Sequence, residues 1–453
     1  MSTKTISPYL QGPFAPIDTE YTSFDLDVTG NLPPELDGRY LRNGPNPIAE
    51  TDPANYHWFL GDGMVHGIRL RDGRAEWYRN RWVRSRNVSN VLGEEAKPGE
   101  RHSDMDTANT NVIGHAGRTY AIVEAGARPV ELSEELETIC HTDLSGGLPH
   151  GYTAHPKRDP RTGELHAISY WWGRPDVVEY TVIDSAGAVT KRVDVPVPGG
   201  PMIHDCSITE RYVVVYDLPV AFDVDAAMGG ARFPYTWQPG RAARVGLLPR
   251  DGAVAELRWF EVEPCYVFHP LNAWDDGDRV VLDVVRHPKI FDVDRLGPNE
   301  GPPMLWRWTV DCSSGKVTEE QLDDQSLEFP RVDERRVGLP HRFGWGTAFG
   351  PPDGEAGLSH PIGLVRYDTR TGAREVVDFG PGRLPGELVF VPRSADAAED
   401  DGWYMTIVSD LASGRGELVV LDAGAPGEGP VARVHLPTRV PMGFHGNWVP
   451  TGS

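Results

Sequence analysis

The stretch MVHGIRLRDGRAEWYRNRW, Met64 to Trp82, decides the fold class. Two β-prone runs, Met64 to Leu70 and Ala75 to Trp82, flank the dipeptide Asp72-Gly73. Such a dipeptide accepts positive φ at both central positions of a tight turn, so the stretch reads as a β-hairpin. The same grammar recurs outward. Asn111 to Ile113 and Thr119 to Val123 flank a turn at His115 to Gly117, and Val178 to Ile183 turns at Asp184 to Gly187. Leu305 to Val310 turns at Asp311 to Gly315, Leu364 to Tyr367 at Asp368 to Gly372, and Leu418 to Leu421 runs into a Gly-rich loop at 423–429. The 50 glycines and 40 prolines among 453 residues are spread evenly, and no long stretch keeps a helical period. The expectation is an all-β chain forming one domain over residues 1–453, with no linker dividing it. A short helix at Ser133 to Thr138 and the Pro- and Gly-rich insertion 222–240 read as decoration.

Three segments share an order of elements: a histidine, a polar turn, then a β-branched strand. His155 precedes Asp159 to Gly163; His204 precedes Thr209 to Arg211 and Val213 to Val215; His269 precedes Asp275 to Gly277 and Val280 to Leu282. In a β-propeller the innermost strands surround one axis, so equivalent positions in different blades converge. These histidines are therefore expected to meet on an axis. His445, between Phe444 and Gly446, has the same apolar or small neighbours. A buried neutral imidazole needs a metal or a hydrogen-bond partner.

Of the 15 histidines, His102, His141, His166, His287, His360 and His435 stand in polar or turn-like settings and read as surface residues, and His57 and His66 as packing residues. Four neutral nitrogen donors suit Fe(II), Zn, Cu or Ni by ligand type. Iron with octahedral geometry would keep two positions open for dioxygen, whereas zinc held tetrahedrally by four histidines would be closed. The expectation is one Fe(II) per chain, with carboxylates on the outer imidazole nitrogens. Glu124, Glu328 and Glu387 stand at strand-like positions suited to that task, the alternative for each being a solvated strand end.

Composition narrows the partners. Lys and Arg total 44 against 66 Asp and Glu, a formal charge of -22 that repels nucleic acid and anionic lipid. Cys140, Cys206, Cys265 and Cys312 form no C-x-x-C pair and read as reduced thiols. Without an apolar leader or a long uncharged apolar run, the chain is expected to be soluble and cytoplasmic. Ala221, Phe222, Met228, Phe233, Tyr235 and Trp237 suit a weak peripheral membrane contact, against which stand several Asp and Arg residues in the same insertion. Oligomeric state is left open.

At these residues, and over nearly the whole chain, the sequence resembles the carotenoid cleavage oxygenase family, which includes lignostilbene dioxygenases and a vertebrate retinoid isomerohydrolase. The resemblance is carried by Leu41 to Pro47, His57 to Met64, Thr153 to Leu165, Ile203 to Thr209, Phe268 to Asp276, Glu328 to Arg331 with Gly338 to Gly344, Pro385 to Pro392, and Gly443 to Trp448. It implies a seven-bladed β-propeller capped by loops, an axial iron on His155, His204, His269 and His445, and Glu124, Glu328 and Glu387 orienting three of those imidazoles. It also implies cleavage of an apolar alkene by O2 to two carbonyl products, without flavin, nicotinamide or haem.

One departure bears on the substrate. Relatives that cleave 4-hydroxystilbenes carry a lysine just before the first of these glutamates and an upstream tyrosine; here the lysine position is Val123, and no tyrosine lies between Arg79 and Arg118. An apolar residue there favours a carotenoid or apocarotenoid over a phenolate, which is costly to bury without a cation. Phe59, Val123, Trp171, Phe268, Phe343 and Phe444 are candidates for the tunnel wall. A stilbene or phenylpropenoid cleaving enzyme of the same fold, and a non-catalytic propeller with structural histidines, are the competing readings.

Overall fold

The Met64–Trp82 hairpin forms with strand Gly63–Arg71 paired antiparallel to Arg74–Trp82, and Asp72 and Gly73 between them at φ 50° and 69°. Positive φ at both positions matches the right-handed twist of the flanking strands. The computed structural model describes residues 7–49, 51–102, 106–350 and 360–452.

Among the described residues, seven sheets of four or more antiparallel strands form the blades of a propeller. Blade 1 runs from inner strand Gly446–Pro450 through Gly38–Pro45, Gly63–Arg71 and Arg74–Trp82 to Thr22–Phe24. Blade 2 begins at Asn111–His115, blade 3 at Lys157–Arg158, blade 4 at Cys206–Ile208, blade 5 at Pro270–Asp276 and blade 6 at Leu327–Val332. In blade 7, Arg383–Pro385 and Val389–Pro392 both pair with Gly402–Asp410, and Val28–Gly30 completes the outer edge beyond Pro430–His435. First strands touch between blades 1 and 2, 3 and 4, 4 and 5, 5 and 6, and 7 and 1, which places them around the axis. The ring is thus closed twice, by a C-terminal strand inside blade 1 and an N-terminal strand outside blade 7. Each closure covers a sheet edge that would otherwise offer unpaired backbone groups.

Because each blade packs on two neighbours, its middle strands are apolar on both faces. Val213, Val214 and Val215 are all buried, and the large side chains Trp308, Trp345, Tyr40 and Tyr404 fill the gaps between blades. Deleting one such ring, as in Trp308→Ala, costs about 3–5 kcal/mol.

One local expectation needs correction. Ser133 to Thr138 is a hairpin turn, not a helix: strands Val130–Leu132 and Thr138–His141 pair across it, and Leu136 takes φ 68°. The Ser133 Oγ accepts the Glu135 and Glu137 N–H groups, so a serine that resembles a helix cap serves a turn. The helix lies instead at Arg86–Leu92, between a Ser85 cap and Gly93 at φ 69°. Its seven residues are too few to show a period. Insertion 222–240 forms strand Tyr235–Trp237 and the short helix Val224–Met228, capped by Asp223. Among the described residues no helix is long and apolar enough to cross a membrane.

Candidate metal centre

Each blade delivers one side chain to the axis. His445 and His269 come directly before the inner strands of blades 1 and 5, and His155 and His204 stand one residue further upstream of those of blades 3 and 4. Glu124 follows strand Arg118–Ile122 of blade 2, Glu328 sits in the inner strand of blade 6, and Glu387 lies between the two inner segments of blade 7. The four histidines are buried, and one nitrogen from each lies within 4.8 Å of the others.

The carboxylates fix the tautomers. His204 Nδ1 is 2.6 Å from Glu124 Oε1, His269 Nδ1 is 2.6 Å from Glu328 Oε2, and His445 Nδ1 is 2.9 Å from Glu387 Oε1. A carboxylate only accepts, so each Nδ1 donates and each Nε2 presents a lone pair. His155 Nε2 stands 3.0 Å from His204 Nε2, which stands 3.2 Å from His269 Nε2. Lone pairs converging at that distance repel unless a cation lies among them. About 3 Å is also the span between two donors held at right angles by metal–nitrogen bonds of about 2.1 Å. The donor set therefore fits one metal ion held by imidazoles.

At Glu387, His269 and His155 the electrostatics favour an ionised carboxylate and neutral imidazoles. Burial pushes the Glu387 carboxyl up, but His445 and Arg331 together outweigh it and hold it at about 2. Burial lowers His269 against the opposing pull of Glu328, leaving it at about 3. His155 is held well below the usual range by burial and then by the other three imidazoles. His204 goes the other way: Glu124 outweighs burial and raises it. Imidazoles this close cannot all carry protons, and metal binding requires them neutral.

An apolar cavity of about 400 Å³ opens onto His204, His269 and His445. Phe59, Val123, Phe268 and Phe444 line it, together with Trp58, Tyr170, Trp172, Phe233, Tyr235 and Phe329. Arg232 is the one cation among the described lining residues, and it is exposed. A separate polar channel of about 100 Å³ reaches His155, His269 and His445 past Lys157, Asp205 and Arg331.

Two expected wall residues lie elsewhere. Trp171 packs beside His102 with ring centroids 4.3 Å apart, because side chains alternate along an extended chain and Tyr170 and Trp172 take the cavity side. That alternation was the missed signal. Phe343 is buried between blades 6 and 7, under the Arg342 and Arg366 guanidiniums. Glu328 pairs with Thr347, so Phe343 is four residues away, about 13 Å along the strand.

Three histidines read as surface residues are buried. His141 Nε2 bonds the Arg84 carbonyl at 3.1 Å, His166 Nδ1 the Tyr180 hydroxyl at 2.8 Å, and His287 Nε2 the Glu328 carboxylate at 2.8 Å. The partners that bury them lie 14 to 57 residues away in sequence, out of reach of a local reading. Phe329 was also missed, although it directly follows Glu328; its ring stacks on His269 at 5.6 Å.

A closed propeller whose axis gathers four imidazoles able to hold a metal, three backed by carboxylates, beside an apolar cavity fits a class of enzyme built around an axial site. Comparisons with known proteins specify which. Residues 14–450 match the family of the retinal pigment epithelial membrane protein. The chain is 47% identical to a carotenoid cleavage oxygenase of Mycobacterium tuberculosis, over 98% of each chain. It is 32% identical to a carotenoid 9,10(9',10')-cleavage dioxygenase of Crocus sativus, covering 97% of this chain and 89% of that one. It is likewise 32% identical to an isoeugenol monooxygenase of Pseudomonas putida, covering 97% and 98%. Among solved structures, a lignostilbene dioxygenase of Pseudomonas brassicacearum superposes with TM-score 0.89 at 31% identity, covering 98% of each chain. Cobalt-substituted ACO of Synechocystis gives TM-score 0.87 at 28% identity, covering 96% and 97%. The chain belongs to the carotenoid cleavage oxygenase family and is an oxidoreductase of the dioxygenase type that cleaves alkenes.

Proposed function

We propose that the chain is a ferrous dioxygenase that cleaves one C=C bond of a carotenoid or apocarotenoid with O2, giving two carbonyl products. The observation that carries the substrate is the cavity wall beside Glu124: Val123 stands there, and carbon atoms form nearly all of the surface. A polyene loses little on entering such a cavity, whereas a phenolate buried beside Val123 would lose its hydration, the wall's one cation among the described residues, Arg232, being exposed.

His155, His204, His269 and His445 would hold the iron, which when bound supplies the site where dioxygen becomes reactive towards the alkene. The rest falls to the polypeptide. Glu124, Glu328 and Glu387 hold three imidazoles in one tautomer and one orientation. Phe59, Phe268, Phe329 and Phe444 keep water out and align the alkene against the imidazole face. Both atoms of O2 end in the two carbonyl groups, so the overall reaction needs no external reductant and no general base.

A phenylpropenoid or stilbene alkene is the second reading. The Tyr170 and Tyr235 side chains in the wall favour it, as does the likeness to isoeugenol and lignostilbene enzymes. Anaerobic apoprotein is loaded with Fe(II), mixed with a carotenoid, an apocarotenal or a 4-hydroxystilbene, and then exposed to O2. The proposal expects oxygen-dependent aldehydes from the polyenes at a higher kcat/KM than from the stilbene. Aldehyde formed without oxygen would discard the dioxygenase reading, and a preference for the stilbene would discard the polyene.

A further inference from the structure

His287 lines neither the cavity nor the polar channel, yet it sits one residue beyond the axial set. It follows strand Arg279–Arg286 and exchanges two backbone hydrogen bonds with Tyr266, at 2.9 and 2.8 Å, just upstream of Phe268 and His269. Its ring is fully buried and meets Phe268 edge to face at 5.1 Å. Its Nε2 lies 2.8 Å from Glu328 Oε1, while Glu328 Oε2 lies 2.6 Å from His269 Nδ1. One carboxylate therefore bridges two imidazoles.

Burial raises Glu328, but the two histidines outweigh it and hold its carboxyl well below the usual carboxylate range. Glu328 thus accepts from both, and His287 donates from Nε2. A glutamate side chain ends in a broad, weakly restrained torsion; His269 Nδ1 and the Phe329 N–H both bond Oε2, so without His287 no hydrogen bond would hold Oε1 and the plane could still turn about the other oxygen. Fixing the second oxygen removes that freedom. The other two carboxylates are restrained by different donors: Glu387 Oε2 accepts the Gly446 N–H at 2.8 Å and lies 3.2 Å from Arg331, and Glu124 accepts the Tyr170 hydroxyl at 3.3 Å.

We infer that His287 is a positioning residue: it clamps Glu328 Oε1 so that Oε2 faces His269, and thereby sets the direction from which the His269 lone pair enters the metal site. The inference rests on the four-imidazole centre proposed above. Space filling alone would give His287 a purely structural role, and side chains of different donor reach separate the two. A glutamine at 287 places an amide N–H near the Nε2 position; asparagine is too short, and leucine has no donor.

Full-length wild type, H287Q, H287N and H287L are prepared as apoproteins, checked by thermal melting, and titrated with Co2+ while the visible d–d bands are recorded. Removing an outer partner of a metal ligand typically weakens binding about 10–100-fold. H287N and H287L are expected to bind Co2+ at least about tenfold more weakly than wild type, with shifted bands, and H287Q within about threefold. If H287L does not fold, H287N against H287Q makes the same comparison. Equal affinity in all variants, or H287Q as weak as H287N, would overturn the inference. Wild type that takes up no Co2+ would overturn the four-imidazole centre itself, before His287 is at issue.

Discussion

The Nδ1 of His155 stands 4.0 Å from Asp205 Oδ2, beyond hydrogen-bond reach, and that oxygen instead holds Lys157 Nζ at 2.8 Å. His155 thus differs from the other three imidazoles, each of which has a carboxylate oxygen within 2.9 Å of Nδ1. The Asp205 charge is balanced by an ammonium, so it lends His155 little added basicity.

This asymmetry ranks the carboxylates. Glu124→Gln, Glu328→Gln and Glu387→Gln each remove a charged acceptor from a ligand nitrogen and are expected to weaken metal binding about 10–100-fold. Asp205→Asn, which touches no ligand hydrogen bond, is expected to stay within about threefold of wild type. Titration of the apoproteins with Co2+ measures all four. An Asp205 variant as weak as the Glu387 variant would contradict the ranking.

Acid stability should be set in part by histidines outside the metal centre. Burial, followed by Arg250, lowers His166 to about 3, and burial, followed by Arg295, lowers His57 to about 3. The folded state therefore binds fewer protons than the unfolded chain. The stability each group contributes is complete above about pH 6.5 and is lost as pH falls from there towards 3. At pH 5 each such histidine costs about 2 kcal/mol relative to neutral pH. Melting temperature should thus drop on going from pH 7.5 to 5.0. H166Q should start lower, having lost its bond to Tyr180, but fall less steeply. Parallel slopes for the two proteins would rule out His166 as a contributor.

The proposed polyene preference rests on Val123 in the cavity wall. Val123→Lys would place an ammonium beside Glu124 and Tyr170, where a phenolate oxygen could use it. The kcat/KM ratio of a 4-hydroxystilbene to an apocarotenal is expected to rise at least about tenfold, the scale of a single paired polar contact in a buried site. An unchanged ratio with metal content intact would show that the phenol end lies elsewhere.

What was legible in the sequence follows from which signals are local. Asp72-Gly73 and the repeated turns announce hairpins because turn chemistry depends on neighbouring residues alone. His155, His204 and His269 are legible because three segments repeat one order of elements, and His445 because it has the same apolar or small neighbours. Glu124, Glu328 and Glu387 stand at strand-like positions that a solvated carboxylate would occupy equally well, so only the resemblance chose between the two readings. His287 was misread because its partner Glu328 is 41 residues away and only the packing of neighbouring blades joins them. Trp171 was misplaced because choosing a tunnel face requires the register of the chain, which a one-residue step inverts, and Phe343 because only the strand pairing shows how far along its blade it stands from Glu328.

Phe329 offers a test in which the usual order of two substitutions should reverse. It is a non-glycine residue at φ 55°, at a bulge between Glu328 and Arg331, and its N–H bonds the Glu328 carboxylate. The left-handed backbone costs about 1–2 kcal/mol for a residue with a Cβ. It persists because it turns the ring onto His269 at 5.6 Å and against His445 at 5.4 Å. Removing the ring costs about 3–5 kcal/mol. Phe329→Ala loses the ring and keeps the strain, whereas Phe329→Gly loses the ring and relieves it. Glycine is therefore expected to be more stable than alanine at this position by about 1 kcal/mol, opposite to their order inside an ordinary strand. Denaturant unfolding of the two variants measures the difference. Alanine proving the more stable would mean that the left-handed turn at Phe329 relaxes once the ring is gone, and that the ring is not what holds the bulge in place.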